Sequence, residues 1–307
     1  MPCVFKPLTS SSLAGLISLA SEISRERVRP GLEELAGLGI KYKIAPNAWS
    51  RNEDFALPVD LRLSDLNAFL KNPEIWAIWA IRGGYGSIQL LPQIDYDLFR
   101  QRAKLFIGFS DITALQWALF AKSGLISLSG LALTLQVNPG NPYLKWAVAL
   151  LQGRKNSLAA EDFVDENLRV FQEGKAEGIL LGGTLSVICS LCGTKYLPSD
   201  REKVVLFIED VNEPLYKIDR YIQQLLLCGF WQNITGLIIG KFTEQEREID
   251  VMPVLKKYIP GHIPVIRNFP YGHITSSIPL PIGAKAFLQT RPFSLRWENF
   301  IHAGAKF

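Results

Sequence analysis

The sequence predicts an α/β protein of two domains, the first built on a doubly wound parallel sheet. Three observations carry this. The chain has 307 residues, more than one compact core usually holds. Its N-terminal half alternates strand-like and helix-like segments. The strand-like runs, such as IWAIWAI at 75–81, are apolar throughout rather than at every second residue, as in strands covered by helices on both faces.

Residues 11–38 hold two helical patterns, and 40–44 read as a strand. A helix over 61–71 starts near Asp60 and leads to the apolar run at 75–81. A short buried strand at 104–107 is followed by a helix over 111–122, closed by Gly124. The cluster Asn138-Pro139-Gly140-Asn141-Pro142 ends this region, and a helix follows at 144–151. The charged, weakly hydrophobic stretch 153–167 is the boundary, which gives an N-terminal domain over 1–152, a linker over 153–167 and a C-terminal domain over 168–307. Beyond it come strands at 168–171, 204–209, 236–240 and 264–267, an apolar segment at 178–192, and helices at 216–228 and near 251–258. No fixed-period repeat is visible, which excludes a solenoid.

Composition narrows the function. A formal charge of +4 is small for this length, and the lysines and arginines stand singly, so a dedicated nucleic-acid or anionic-membrane surface is not expected. Small molecules or peptides are the expected partners. Four cysteines, Cys3, Cys189, Cys192 and Cys228, are too few for a disulfide scaffold and suit a reducing compartment. LAGLISLA at 13–20 resembles a signal-peptide core, but Glu22, Arg25 and Arg27 follow within the same helical pattern. The long uncharged windows at 177–195 and 122–145 are broken by glycines, so a soluble, cytoplasmic protein is expected.

Glycine-containing turns follow apolar strands at three places. Arg82-Gly83-Gly84-Tyr85-Gly86 leaves backbone N–H groups open to an oxyanion or phosphate, or is a plain strand-to-helix turn. It lacks both the P-loop ending and the G-x-G-x-x-G spacing. In Gly108-Phe109-Ser110-Asp111, Ser110 occupies a strand–turn–helix corner, where it reads either as a helix N-cap or as a nucleophile beside the N–H groups of a helix start. It departs from G-x-S-x-G, because Ile112 replaces the second glycine. In Tyr271-Gly272-His273, the histidine just past a strand can project into a cleft as a general base. His262 and His302 read as solvated residues of a turn and a tail.

Glu209 and Asp210 close the strand VVLFIED, and either can orient a histidine or cap the next turn. Adjacent strand residues face opposite ways, so at most one serves a given cleft. Cys189-Ser190-Leu191-Cys192 has no second pair at zinc-ligand spacing and reads as packed helix. With no HExxH pattern, neither a metal nor a cofactor is expected.

Taken in order, these motifs resemble the LD-carboxypeptidase family of serine peptidases, which includes muramoyltetrapeptide carboxypeptidases and microcin C immunity peptidases. The resemblance runs through Asp65-Leu66-Asn67-Ala68-Phe69, Arg82-Gly83-Gly84-Tyr85-Gly86, Gly108-Phe109-Ser110-Asp111-Ile112-Thr113 and Gly182-Gly183-Thr184-Leu185-Ser186. It continues in Ile208-Glu209-Asp210, Lys217-Ile218-Asp219-Arg220 and Tyr271-Gly272-His273. It implies Ser110 as nucleophile, Glu209 as acid and His273 as base, with Gly84 and Asp111 supplying oxyanion-hole N–H groups and Gly83 and Tyr85 touching substrate. It also implies a C-terminal domain with a small β-barrel-like core, a site between the domains and a homodimer. The implied reaction is hydrolysis of an L,D-peptide bond in a cell-wall muropeptide, releasing D-alanine from a tetrapeptide during peptidoglycan recycling. A peptidyl-nucleotide amidase, with a tryptophan such as Trp231 stacking on the base, and a catalytically silent ligand-binding protein are the alternatives. The chain departs from the family pattern in VFKPLTSSSL, where an Ala-Pro-Ser-like turn is usual, and in Leu128-Ser129-Gly130-Leu131, where a His-Gly-Pro segment is frequent.

Overall fold

The computed structural model describes residues 4–50, 56–163, 168–198 and 202–302. Five parallel strands form the first sheet: β1 (Leu13–Ile17), β2 (Lys41–Ile44), β3 (Ile75–Ala80), β4 (Leu105–Gly108) and β5 (Ser127–Ser129). Their order, β2-β1-β3-β4-β5, is a doubly wound one whose crevice lies at the carboxyl ends of the strands, where the winding reverses between β1 and β3. Helices α1 (Arg25–Gly37), α2 (Val59–Lys71), α3 (Tyr96–Gln101) and α4 (Thr113–Ser123) connect them, and α5 (Leu144–Leu151) follows.

The first of the two helices read over 11–38 is instead β1. Leu16 and Ile17 are fully buried between the neighbouring strands. A short run buried on both faces shows no period that separates strand from helix. The stretch resembling a signal-peptide core is thus an inner strand of the sheet. Among the described residues no helix is long and apolar enough to cross a membrane.

The second sheet contains β6 (Ser157–Ala159), β7 (Arg169–Gln172), β8 (Lys175–Thr184), β9 (Val204–Val211), β10 (Ile234–Glu244), β11 (Arg247–Glu248) and β12 (Val265–Arg267). After β13 (Leu280–Ile282), it is completed by β14 (Lys285–Thr290) and β15 (Phe293–Trp297). Its order is β6-β15-β14-β8-β9-β10-β12-β7, with β11 on β10. No ladder joins β6 to β7 among the described residues, so no closing pair for the barrel-like core that the resemblance implies is found there. Helices α6 (Leu185–Cys189), α7 (Leu215–Leu227) and α8 (Met252–Leu255) accompany it, α7 burying the single stripe Ile218, Ile222 and Leu225.

The two sheets do not separate cleanly along the chain. Residues 157–159, within the stretch read as linker, form β6, while 164–167 of that stretch lie outside the described residues. Strand β13 leaves the C-terminal half and pairs antiparallel with β5, completing the first sheet. The loop between β12 and β13 is therefore strung from one sheet to the other. Helix α4 forms the seam, which is why Thr113 to Leu119 are all buried. Trp117 Nε1 donates to Gly182 O (2.8 Å), and Thr184 N donates to Thr113 Oγ1 (3.3 Å). The helix that starts beside Ser110 is the one on which the second sheet docks.

Candidate active site

Ser110 follows the buried strand β4 in a turn that no ordinary residue adopts freely. Phe109 is extended, Ser110 has φ 65°, and residues 110–112 form one 3-10 turn before α4. A left-handed serine costs of order 1–3 kcal/mol and persists only where its surroundings over-determine it. Here they do. A Cβ on Gly108 would meet Ile112 Cγ2 at 2.4 Å, so the space left at Gly108 is taken by the residue that replaces the second glycine of a nucleophile elbow. A Cβ on Gly83 would lie 2.7 Å from Ser110 Cβ, 2.9 Å from Phe109 O and 3.0 Å from Asp111 N. The glycine loop and the Ser110 turn are thus in direct contact.

Gly83→Ala tests that contact. Its methyl must displace backbone atoms, and a shift of about 1 Å at a reacting group costs on the order of 10²-fold in rate. The variant is expected to fold with a lowered melting temperature and at least that loss in kcat. Wild-type kcat would show that the turn tolerates the shift.

Ser110 does not cap the helix with its side chain: α4 has no side-chain cap, and Ser110 Oγ lies 2.9 Å from His273 Nε2. His273 Nδ1 is 2.7 Å from Glu209 Oε2, which also accepts from His273 N at 3.1 Å. With Nδ1–H donating to the carboxylate, Nε2 is left to accept the Ser110 hydroxyl proton. Glu209 is wholly buried at the end of β9, and Thr184 Oγ1 donates to its other oxygen, Oε1, at 2.6 Å. Asp210 faces the opposite way, as strand alternation requires. Its carboxylate accepts from Ser186 N (2.7 Å) and Val211 N (2.9 Å), and burial with the adjacent Glu209 charge pushes it up to about 7.

His273 sits in the loop strung between the sheets, and both sides hold it. Gln136 Nε2 donates to Gly272 O (3.2 Å), Asn141 Nδ2 to Ser277 O (3.2 Å) and Gly272 N to Ser277 Oγ (3.2 Å). Tyr271 Oη is 2.8 Å from Ser129 Oγ, and the His273 ring lies 4.7 Å from the Phe109 ring. At Gly272, φ +146°, a Cβ would meet Lys241 O at 2.9 Å and Glu209 Oε2 at 3.1 Å, so only glycine lets the loop close over the carboxylate. Burial disfavours a charged imidazole. The Glu209 charge and hydrogen bond, with a smaller contribution from Asp210, outweigh it and hold the His273 pKa above its ordinary value.

The glycine loop is braced from below. Ser87 N donates to Asp111 Oδ2 (2.8 Å), and Ser87 Oγ to Asp111 O (2.6 Å). Burial raises the Asp111 carboxyl pKa, against the pull of Ser87 and Arg62. Arg62, buried in α2, donates to Leu19 O (3.1 Å), Gly86 O (2.8 Å) and Gln89 Oε1 (2.6 Å). Gly84 has φ +116°, Tyr85 N donates to Ser21 Oγ at 2.9 Å, and the Tyr85 side chain is half exposed beside the loop.

Ser110, Glu209 and His273 therefore converge, with Gly83 against Ser110 and Asp111. Sequence reasoning missed Thr184, Gln136, Ser21 and Arg62 as supports; only Thr184, after two glycines at a strand end, carried a local signal. Trp231 is not a pocket aromatic: it is buried, with Nε1 donating to Tyr258 O at 3.0 Å. His262 and His302 are exposed. Arg267 faces Asp250 at 3.9 Å. Cys189 is buried in α6, whereas Cys192 lies past its end and is half-buried. Among the described residues no group of histidine, cysteine and acidic side chains could hold a metal.

Comparison with known proteins finds matches over both parts of the chain. Residues 14–130 match the LD-carboxypeptidase N-terminal domain, and residues 177–288 match the LD-carboxypeptidase C-terminal domain. The chain is 32% identical over 308 residues to the "Probable murein peptide carboxypeptidase" of Bacillus subtilis, covering 98% of this chain and 96% of that protein. It is 31% identical over 297 residues to the "Murein tetrapeptide carboxypeptidase" of Pseudomonas aeruginosa, covering 92% and 94%. Among solved structures, an MccF-like protein from Bacillus anthracis superposes with a TM-score of 0.85 at 26% identity, covering 96% of this chain and 99% of that one.

Proposed function

The chain belongs to the LD-carboxypeptidase family, a family of serine peptidases, and from that premise we propose that it cleaves the L,D-peptide bond of a cell-wall tetrapeptide, releasing D-alanine. The observation that carries this reading is the run of contacts from Glu209 through His273 to Ser110, drawn from three separate segments. His273 takes the proton from Ser110 Oγ as that oxygen attacks the scissile carbonyl, and Glu209 holds the imidazole in the needed tautomer and stabilises its charged form. The N–H groups of Gly84 and Asp111 receive the oxyanion, each worth roughly 3 kcal/mol in comparable sites. His273 then protonates the leaving amine, and water attacking the acyl-enzyme regenerates Ser110. Gly83 and Tyr85 line the approach for substrate.

The setting proposed for this activity is peptidoglycan recycling by a cytoplasmic homodimer. The names of the murein peptide carboxypeptidases to which the chain is similar support the substrate class. Of the tryptophans that the peptidyl-nucleotide reading could draw on, Trp231 is buried. Chiral chromatography of a muropeptide tetrapeptide incubated with the protein tests the proposal, with a peptidyl-nucleotide run in parallel. Release of D-alanine from the tetrapeptide supports it. Cleavage of the nucleotide conjugate alone, or of neither, overturns it.

The state of His273 sets the pH dependence. Only the neutral imidazole accepts a proton, and its pKa lies above the ordinary 6.5, so the residue stays protonated to higher pH than a free histidine. Consequently kcat/KM should rise with pH through an apparent pKa above that value. A profile flat from about pH 5 to 8, with substrate ionisation controlled, removes His273 as the base.

A further inference from the structure

Three thiols gather where α6 and α7 pack together, away from the proposed chemistry. Cys228 caps the end of α7, is exposed, and places its Sγ 3.4 Å from Cys192 Sγ, in the turn that follows α6. Both are free thiols. The third, Cys189, is buried and donates to Tyr221 O at 3.3 Å. Gln224 Nε2 donates to Cys189 O at 3.1 Å, so the two helices are already fastened and the approach of the two outer thiols is set by packed structure.

We propose that Cys192 and Cys228 are a redox-modification site, closing to a reversible disulfide by exchange with a small-molecule disulfide such as glutathione disulfide. The sulfurs need to approach by about 1.4 Å to reach bonding distance. Interaction with the neighbouring Cys189 thiol is the main influence drawing the Cys192 thiol down to about 7, with Cys228 adding to it, whereas Cys189 is pushed up by the same neighbour and by burial. Cys192 is thus the attacking group. Its thiolate displaces one glutathione thiolate and forms a mixed disulfide. The Cys228 thiolate then attacks Cys192 Sγ and displaces the second glutathione. The two protein thiols lose two electrons and two protons, and glutathione disulfide gains them as two thiols. The bond closes a loop of 36 residues and pins the end of α6, whose first turn carries the Ser186 groups that hold Asp210.

The test equilibrates the folded protein in glutathione buffers of graded redox poise, traps free thiols by alkylation and maps the peptides by mass. The expected result is a Cys192–Cys228 cross-link that grows as the buffer becomes oxidising and disappears with dithiothreitol. Cys189→Ser should leave it intact, while Cys228→Ser should carry glutathione on Cys192 instead. The oxidised protein should melt roughly 5 °C or more above the reduced one. Should both thiols remain alkylatable in the oxidising buffer, or should Cys192 pair with Cys189, the proposal is overturned. Melting curves of each variant in reducing buffer establish that it is folded.

Discussion

Ser110→Ala should abolish D-alanine release, lowering kcat by roughly 10⁴–10⁶-fold while leaving the fold intact. The reasoning is local. The hydroxyl makes no helix cap and meets His273 Nε2, so its removal deletes the attacking atom without unsatisfying a buried backbone group. What survives is whatever binding and the Gly84 and Asp111 N–H groups supply to a water-dependent reaction. The backbone adds a second readout. Alanine keeps the strain of φ 65°, and glycine relieves about 1 kcal/mol of it, so Ser110→Gly should be as inactive as Ser110→Ala yet melt higher. Turnover of Ser110→Ala near that of the parent protein would remove Ser110 from the chemistry, and equal melting of the two variants would remove the strain argument.

Glu209→Gln should cost on the order of 10²–10⁴-fold in kcat, and it should also change the pH profile. The buried carboxylate accepts three hydrogen bonds: from Thr184 Oγ1, from His273 N and from His273 Nδ1. A glutamine has one oxygen with which to accept and an amide that donates. Its amide facing Nδ1 favours the tautomer with the proton on Nε2, which then has no lone pair for Ser110. The sign of the pH effect follows from the same contact. Glu209 raises the His273 pKa against burial, so without its charge the pKa falls and the acid limb of kcat/KM moves to lower pH. A pH–rate profile of the residual activity measures both. A limb at the parent position, or a loss below about tenfold, would mean that Glu209 neither orients nor charges the imidazole.

Legibility of the site varied with how local its cause is. Ser110, Glu209 and His273 each follow an apolar strand, and Gly83, Gly108 and Gly272 mark close backbone approaches, so these positions stood out one by one. The helix over 144–151 was legible to the residue, as α5. Strand β1 was not, because five apolar residues buried on both faces look alike in helix and strand. Strands β13, β14 and β15 passed unnoticed: β13 is three residues long and pairs with distant β5, while β14 and β15 form a hairpin whose outer partner, β8, lies far back in the chain.

By itself the sequence determined the parallel first sheet, the turn chemistry at each strand end and the residues able to attack, accept a proton or stabilise charge, because apolar runs and glycines act on their immediate neighbours. Only the tertiary structure decided whether Ser110 was a cap or a partner of His273. That contact joins residues 163 apart and the His273–Glu209 contact residues 64 apart, separations across which no periodicity carries information. The same holds for Thr184 beneath Glu209 and for Gln136 under the histidine loop. Thr184 reaches Glu209 only once β8 has paired with β9, and Gln136 reaches Gly272 only once the chain has crossed to place β13 on the first sheet.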